Sequence, residues 1–216
     1  MFFLKGSKIV DGANSYLRSR SKRLMDVIGG TIGLVIGLPF IILSCLIVLL
    51  IDRVPPVFIQ ERLGLENKSF PFLKLRTLKI IEKSDMVNAN VLNHKQPYQT
   101  TTTGWFWRAT SIDELLQFWL VLKGEMSLVG YRPFPIHHVP HLYLLPGLNA
   151  SVVEQYLNLI KNVKPGMSAL SVVNGRTDLS ISKKIEYDLE YVRFASFRGD
   201  LVLLAKTFLT VFRLRG

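Results

Sequence analysis

From Val27 to Ile51 the chain carries no charged residue, and Asp26 and Asp52 close the run at its two ends. As one straight helix this run measures about 37 Å at about 1.5 Å per residue, enough to cross a hydrocarbon core of about 30 Å. Pro39 stands at its midpoint, where it removes one backbone donor and crowds the preceding turn, a place for the chain to bend back. Length predicts a spanning helix, the proline allows a re-entrant one, and a kinked span is the third geometry that lipid tolerates. Gly29, Gly33 and Gly37 recur at four-residue spacing, a stripe that lets another helix come close and allows, without requiring, a homodimer.

Beyond the run the pattern changes. Pro55-Pro56 ends the helix, and alternation over Val57–Gln60 and Phe70–Arg76 around Gly64 predicts a strand pair or extended hairpin that turns basic residues outward. Residues 82–104, rich in Asn and Thr, read as a loop. Thr110 to Gly124 is the clearest helix: Ser111 with Glu114 spells a capping box, Lys123-Gly124 a stop, and Leu115, Phe118, Trp119 and Leu122 a buried face. Residues 151–162 read as a helix ended by Pro165-Gly166, and residues 171–176 as a strand running into an Asn-Gly turn. Leu179–Tyr191 is amphipathic, with Glu186, Asp188 and Glu190. Leu201–Leu214 is a helix with a broad apolar face, suited to a core or to a membrane interface. The expected organisation is an N-terminal tail or surface helix over 1–20, a membrane segment over 21–53 and one body over 54–216. The fold class is α+β and predominantly helical.

Composition sharpens this picture. The chain is 49% hydrophobic with a net charge of +11, which points to an anionic surface or substrate. The apolar run favours an anionic phospholipid membrane over nucleic acid. Six cations precede the run (Lys5, Lys8, Arg18, Arg20, Lys22, Arg23) and six follow it within 28 residues (Arg53, Arg62, Lys68, Lys74, Arg76, Lys79), so charge balance selects no side. The lone cysteine, Cys45, lies in the run; it excludes an intrachain disulfide framework and suits a body facing the cytosol. The apolar run is too long for a secretory signal and lacks a small-residue cleavage site. There is no phosphate-binding GxxxxGK[ST] loop, no dinucleotide glycine fingerprint and no nucleic-acid signature. His137, His138 and His141 are interrupted by Pro140 and have no second ligand cluster, so they do not make a metal site.

The candidate chemistry sits around the clearest helix. Acidic residues in a first turn, such as Asp113 and Glu114, ordinarily complement the helix dipole; the same position also keeps a carboxylate ionised and aimed at whatever is held there. Arg132, in the loop that follows, offers a planar fork suited to phosphate, although a loop arginine is more often a solvated charge.

These blocks add up in order. Lys22-Arg23-Leu24-Met25-Asp26, the apolar run with its proline, Pro56–Gly64, Phe72–Leu78, Ser111–Leu115, Leu122–Gly130, Arg132-Pro133, Lys164–Gly166 and Val173–Arg176 together resemble the bacterial sugar transferases, the monotopic polyprenyl-phosphate phosphoglycosyl transferases. The resemblance runs from about residue 20 to the end. It implies transfer of a sugar 1-phosphate from a UDP-sugar to undecaprenyl phosphate with release of UMP, the first membrane step of a surface glycan that downstream glycosyltransferases extend. By the same resemblance Asp113 is the nucleophile that carries the phospho-sugar, Glu114 orients the site or manages protons, and Asp113 holds Mg2+. Arg132, Lys74 and Arg76 bind phosphate, and Asn174, Gly175 and Arg176 face the nucleotide. The apolar run becomes a helix-break-helix turning at Pro39 within the cytoplasmic leaflet of the inner membrane, with interfacial amphipathic helices beside it.

Four motifs depart from the family pattern: Leu38 replaces the serine before Pro39, Tyr131 the first proline of Pro-Arg-Pro, Leu116 the proline of Asp-Glu-Leu-Pro-Gln, and Ser168-Ala169-Leu170 a Thr-Gly-Trp block. The alternative from another class is a non-catalytic, membrane-anchored relative that binds prenyl phosphate or partners a glycan enzyme.

Overall fold

The computed structural model describes residues 14–79, 99–145, 148–175 and 179–212. The expected tail lies mostly outside these residues, as does most of the expected loop over 82–104; a short turn, Ser15–Arg18, capped by the Asn14 side chain, leads into the first helix.

Helix α1 spans Arg20–Ile47, starts on the Ser19 hydroxyl, and continues as a π-helical turn over Val48–Asp52. Arg53, in the left-handed region at φ 55, and the two prolines behind it stop the helix. The expected division into two arms at Pro39 is not seen: the chain stays helical through the proline. One face of the helix explains why. Lys22, Asp26, Gly30, Gly37, Ile41, Ser44 and Val48, spaced by three to seven residues, are all buried. This face rests on the rest of the chain on both sides of Pro39, so packing outlasts the one hydrogen bond that a proline removes.

Both ends of α1 are tied to the same body. At the start, Lys22 Nζ reaches Asp200 Oδ2 at 2.6 Å and the Val129 carbonyl at 2.9 Å, while Asp26 accepts from Ser127 Oγ and from the Leu128 amide. At the far end Asp52 accepts from the Thr103 amide and hydroxyl. Arg23 donates to the carbonyls of Val121 and Leu122 at 2.8 and 2.7 Å, satisfying the last turn of a neighbouring helix. Two of the cations counted before the run are thus internal pairs rather than a membrane-facing flank.

The hairpin expected from alternation is present: β1 (Val57–Leu63) pairs antiparallel with β2 (Ser69–Leu75), with Val57 opposite Leu75. Then come α2 (Gly104–Thr110), a 3₁₀ turn over Ile112–Glu114 and α3 (Gln117–Lys123). A short β3 (Ser127–Val129) pairs in parallel with β4 (Gly166–Ser168), after α4 (Ala150–Ile160). At this crossing Gly130 and Gly166 lie so close that a Cβ on either would meet the backbone nitrogen of the other. The strand expected at 171–176 is instead a single helical turn, α5 (Leu170–Val173). Helices α6 (Ile181–Phe194) and α7 (Phe197–Phe212) complete the chain. The core gathers Phe72, Leu120, Val121, Val129, Tyr131, Tyr156, Ile160 and Ile185, joined by Leu63 of β1 and Leu203 of α7.

The buried face expected on the clearest helix is also corrected. Gln117, Leu120 and Val121 are the fully buried residues, whereas Trp119 is 51% exposed. Phe118 and Leu115 instead meet the glycine stripe of α1: added Cβ atoms on Gly33 and Gly37 would touch them, and one on Gly29 would touch Leu128. The stripe that allowed a homodimer is therefore occupied by the chain's own side chains. The opposite face of α1 is apolar and bare, from Leu24 and Ile28 through Val35, Phe40 and Leu43 to Leu50, and α1 is long and apolar enough to cross a membrane.

Candidate active site

Ser111 sets the site. It ends α2 in the left-handed conformation, φ 58, and its side chain makes no cap for the turn that follows. The capping box read from the sequence is absent because Glu114 is engaged elsewhere. A left-handed residue other than glycine costs about 1 kcal/mol, and here it turns the chain sharply enough to present Asp113 and Glu114 from a tight turn between two helices.

Glu114 is the hub. Its Oε1 lies 2.7 Å from Lys74 Nζ and 2.6 Å from Arg132 Nη2, and its Oε2 accepts from Arg132 Nη1 at 3.4 Å. Lys74 also stands 3.6 Å from Asp113 Oδ2. Asp113 is buried and the other three are largely so. Burial alone would raise the Glu114 carboxyl, but the charges of Arg132 and Lys74 outweigh it and hold the group well below the usual carboxylate range. Burial likewise disfavours the Arg132 cation, and Glu114 more than restores it.

Arg132 is held by more than its ion pair. Its Nη1 donates to the Met167 carbonyl at 3.2 Å, which locks the side chain onto β4. Its backbone N–H donates to Asp188 Oδ1 at 3.3 Å, and the Tyr156 hydroxyl donates to Asp188 Oδ2 at 3.3 Å. Asp188 is completely buried, and burial pushes its carboxyl up to about 8 despite those two donors. Before it, Tyr131, which replaces the family's proline, is fully buried and donates to the Leu63 carbonyl. The Leu116 departure is also accommodated: its φ of −59 is one that a proline also adopts.

Of the residues singled out in the sequence, Asp113, Glu114, Lys74 and Arg132 come together. Arg76 does not join them: its Nε donates to the Pro55 carbonyl at 2.8 Å and its guanidinium lies over the Phe58 ring. Asn174 donates back to the Leu170 carbonyl, closing the end of α5, and Gly175 follows at φ 143; Arg176 lies outside the described residues. Asp188 and Arg62 were missed. The signal for Arg62 was its place in the β1 alternation, on the face shared with Phe72 and Lys74; the signal for Asp188 was an acid on the buried stripe of an amphipathic helix. Among the described residues no group of three His, Cys, Asp or Glu side chains stands ready to cage a metal.

The chain belongs to the bacterial sugar transferase family, whose model matches residues 17–214. Over 197 residues it is 35% identical to a UDP-glucose:undecaprenyl-phosphate glucose-1-phosphate transferase of Klebsiella pneumoniae, covering 89% of this chain and 39% of that protein. The enzyme of the same description from Escherichia coli K12 is 34% identical over the same shares. A putative undecaprenyl-phosphate N-acetylgalactosaminyl 1-phosphate transferase of Bacillus subtilis is 44% identical over 113 residues, 52% of this chain and 61% of that one. The chain thus spans about two fifths of the length of the first two relatives.

Asp188 yields a prediction. A carboxyl that titrates at about 8 when folded and at about 3.8 when unfolded binds more protons in the folded state across that window, so its contribution to stability declines as pH rises from about 4 to about 8 and is constant above. Asp188→Asn has no proton to lose and still accepts from the Arg132 amide. Unfolding midpoints measured from pH 4 to 9 should fall less steeply with pH for this variant than for the parent chain; parallel profiles would show that Asp188 is ionised throughout.

Proposed function

We propose that the chain transfers a sugar 1-phosphate from a UDP-sugar to undecaprenyl phosphate, releasing UMP. The observation that carries this reading is the Asp113-Glu114 pair, in which Glu114 gathers two cations directly beside a buried second carboxylate. Lys74 and Arg132 are spaced for an anion that spreads its charge over several oxygens, and phosphoryl transfer depends chiefly on such preorganised charge.

In the first step an Asp113 carboxylate oxygen attacks the phosphorus that bears the sugar. The bond from that phosphorus to the bridging oxygen breaks, and UMP leaves with the electron pair. In the second step an oxygen of undecaprenyl phosphate attacks the same phosphorus, the bond to Asp113 breaks, and the carboxylate is regenerated as the lipid diphosphate sugar forms. Lys74 and Arg132 stabilise the equatorial oxygens in both steps, and Glu114 prevents the two cations from separating. The donor set suits Mg2+ bound through one carboxylate and completed by substrate phosphates and water, since Asp113 is a hard oxygen ligand and Glu114 is already engaged; the ion would neutralise charge on the diphosphate.

The bilayer reading rests on the same architecture. Besides the bare face of α1, large apolar side chains are exposed at Trp105 and Phe106 on α2, Trp119 on α3, and Leu201, Val202, Phe208 and Leu209 on α7. Apolar patches above about 600 Å² are rare on monomers that remain in water. Because both ends of α1 are tied to one body, a helix that crossed the bilayer would have to leave half of its buried face without a partner. We therefore place α1 in the cytoplasmic leaflet of the inner membrane with both ends on the cytoplasmic side, and α2 and α7 at the headgroups, where a soluble nucleotide sugar and a lipid phosphate both reach Asp113.

Two experiments test this. Purified chain given undecaprenyl phosphate, Mg2+ and a panel including UDP-glucose, UDP-galactose and UDP-N-acetylgalactosamine should release UMP from at least one donor. Asp113→Asn should lower that release by at least about a thousandfold with membrane association unchanged, and silence of the well-folded parent across the panel would remove the enzyme reading. For topology, Ser15→Cys and Lys68→Cys, each in a Cys45→Ala background, should both resist an impermeant thiol reagent in intact spheroplasts and react after lysis; protection of only one would make α1 an ordinary span.

A further inference from the structure

Among the described residues no carboxylate forms an ion pair with Arg62. Its guanidinium carbon lies 3.9 Å from the centroid of the Phe72 ring, and Lys74 Nζ lies 5.9 Å from the same centroid. Phe72 is fully buried, so one rigid ring sets the places of both cations. Arg62 Nη1 donates to the Pro133 carbonyl at 3.0 Å, and Nε and Nη2 donate to Gln60 Oε1 at 3.3 and 3.1 Å. All these acceptors are neutral. Among the described residues the ion pairs at this site join Glu114 to Lys74 and Arg132 and Asp113 to Lys74, and none includes Arg62.

The surroundings make that charge costly. Burial and, after it, the charge of Arg132 together lower the Arg62 guanidinium to about 9, with Glu114 offsetting only part of their effect. Among the described residues at the site, Lys74, Arg132 and Arg62 supply three positive charges and Asp113 and Glu114 two negative ones. Asp188, titrating at about 8, is mostly protonated at neutral pH and adds little. A buried cation without its counter-ion is strongly unfavourable, and it persists where a ligand brings the missing anion. Each terminal nitrogen of Arg62 has given one of its two N–H groups to the protein, so one remains on each. These two donors are of the charged kind that phosphoryl oxygens accept from.

We propose that Arg62 is the third cation of the anion site and binds phosphoryl oxygens of a substrate directly, alongside Lys74 and Arg132. The ligand class rests on the transfer reading above, which offers two sources of the same chemistry, the diphosphate of the nucleotide sugar and the phosphate of the lipid acceptor.

The test uses the whole chain in neutral phosphatidylcholine nanodiscs. Unfolding midpoints are recorded alone, with inorganic pyrophosphate, and with undecaprenyl phosphate doped into the disc. Arg62→Gln should unfold at or above the temperature of the parent chain when no ligand is present, because a buried unpaired charge is gone. It should lose most of the ligand-induced rise, and Arg62→Lys should regain part of it. Loss in the pyrophosphate arm assigns Arg62 to the donor, and loss in the lipid arm alone assigns it to the acceptor phosphate. With the donor, KM should rise roughly ten- to hundredfold, the range of a lost charge-assisted hydrogen bond, while kcat changes less. Wild-type rises in both arms for Arg62→Gln, no rise in the parent chain, or no recovery in Arg62→Lys would overturn the proposal and leave Arg62 as a clamp on the Pro133 turn. A parent chain that shows the rise but releases no UMP would sink the transfer reading and leave this contact standing.

Discussion

The site depends on one carboxylate. Glu114 draws together a lysine from the first hairpin and an arginine from the loop after β3, two elements that otherwise meet through hydrogen bonds to neutral carbonyls, as from Arg62 to Pro133 and from Tyr131 to Leu63. Without that anion Lys74 and Arg132 would repel one another in a poorly solvated pocket, and breaking such a buried pair typically costs about 3–5 kcal/mol. The arrangement also explains why Asp113 and Glu114 are adjacent in sequence. A tight 3₁₀ turn behind a left-handed serine aims two neighbouring side chains at one place, which a regular helix, with successive residues about 100° apart, does not do.

Everything else holds the three elements in register. The Gly130–Gly166 crossing brings β3 and β4 close enough for Arg132 to reach the Met167 carbonyl, and Asp188 fixes the arginine's backbone from below. Helix α1 packs its glycine stripe onto α3 immediately after the acidic pair, and it is pinned at its start by the buried carboxylates of Asp26 and Asp200 and beyond its far end by Asp52. Membrane helix and proposed catalytic turn are thus one packed unit. The proposal that a lipid phosphate is handled here draws on this: the bare apolar face of α1 and the charged cluster belong to one body.

Much of this was legible in the sequence. Alternation found the hairpin, length found α1, and the ordered motif blocks located Asp113, Glu114, Lys74 and Arg132. What escaped did so for identifiable reasons. The capping-box reading of Ser111 and Glu114 failed because a buried ion pair outcompetes a local cap, and sequence spacing cannot see Lys74 forty residues away. The glycine stripe was correctly read as a close-approach surface, but spacing does not say whether the approaching helix belongs to a second copy or to the same chain. The balance of flanking cations included Lys22 and Arg23, which the fold uses for internal contacts, a use that a count along the chain does not see. Arg76, placed with Lys74 by the family resemblance, lies just past the end of β2, where the backbone carbonyl of Pro55 captures it. Asp188 and Arg62 were invisible as functional residues because their meaning lies in burial and in the company of Arg132.

The central claim is that Asp113, presented beside the Glu114–Lys74–Arg132 cluster, is the group that bears the phospho-sugar between donor and lipid. The most direct measurement is intact and peptide mass analysis of the chain incubated with its UDP-sugar and Mg2+ but no undecaprenyl phosphate. The account predicts one equivalent of UMP and a mass increase of one phospho-sugar on the peptide containing Asp113, lost again when undecaprenyl phosphate is added. UMP that appears only when the lipid is present, with no adduct on any residue, would contradict it and establish direct transfer from nucleotide to lipid.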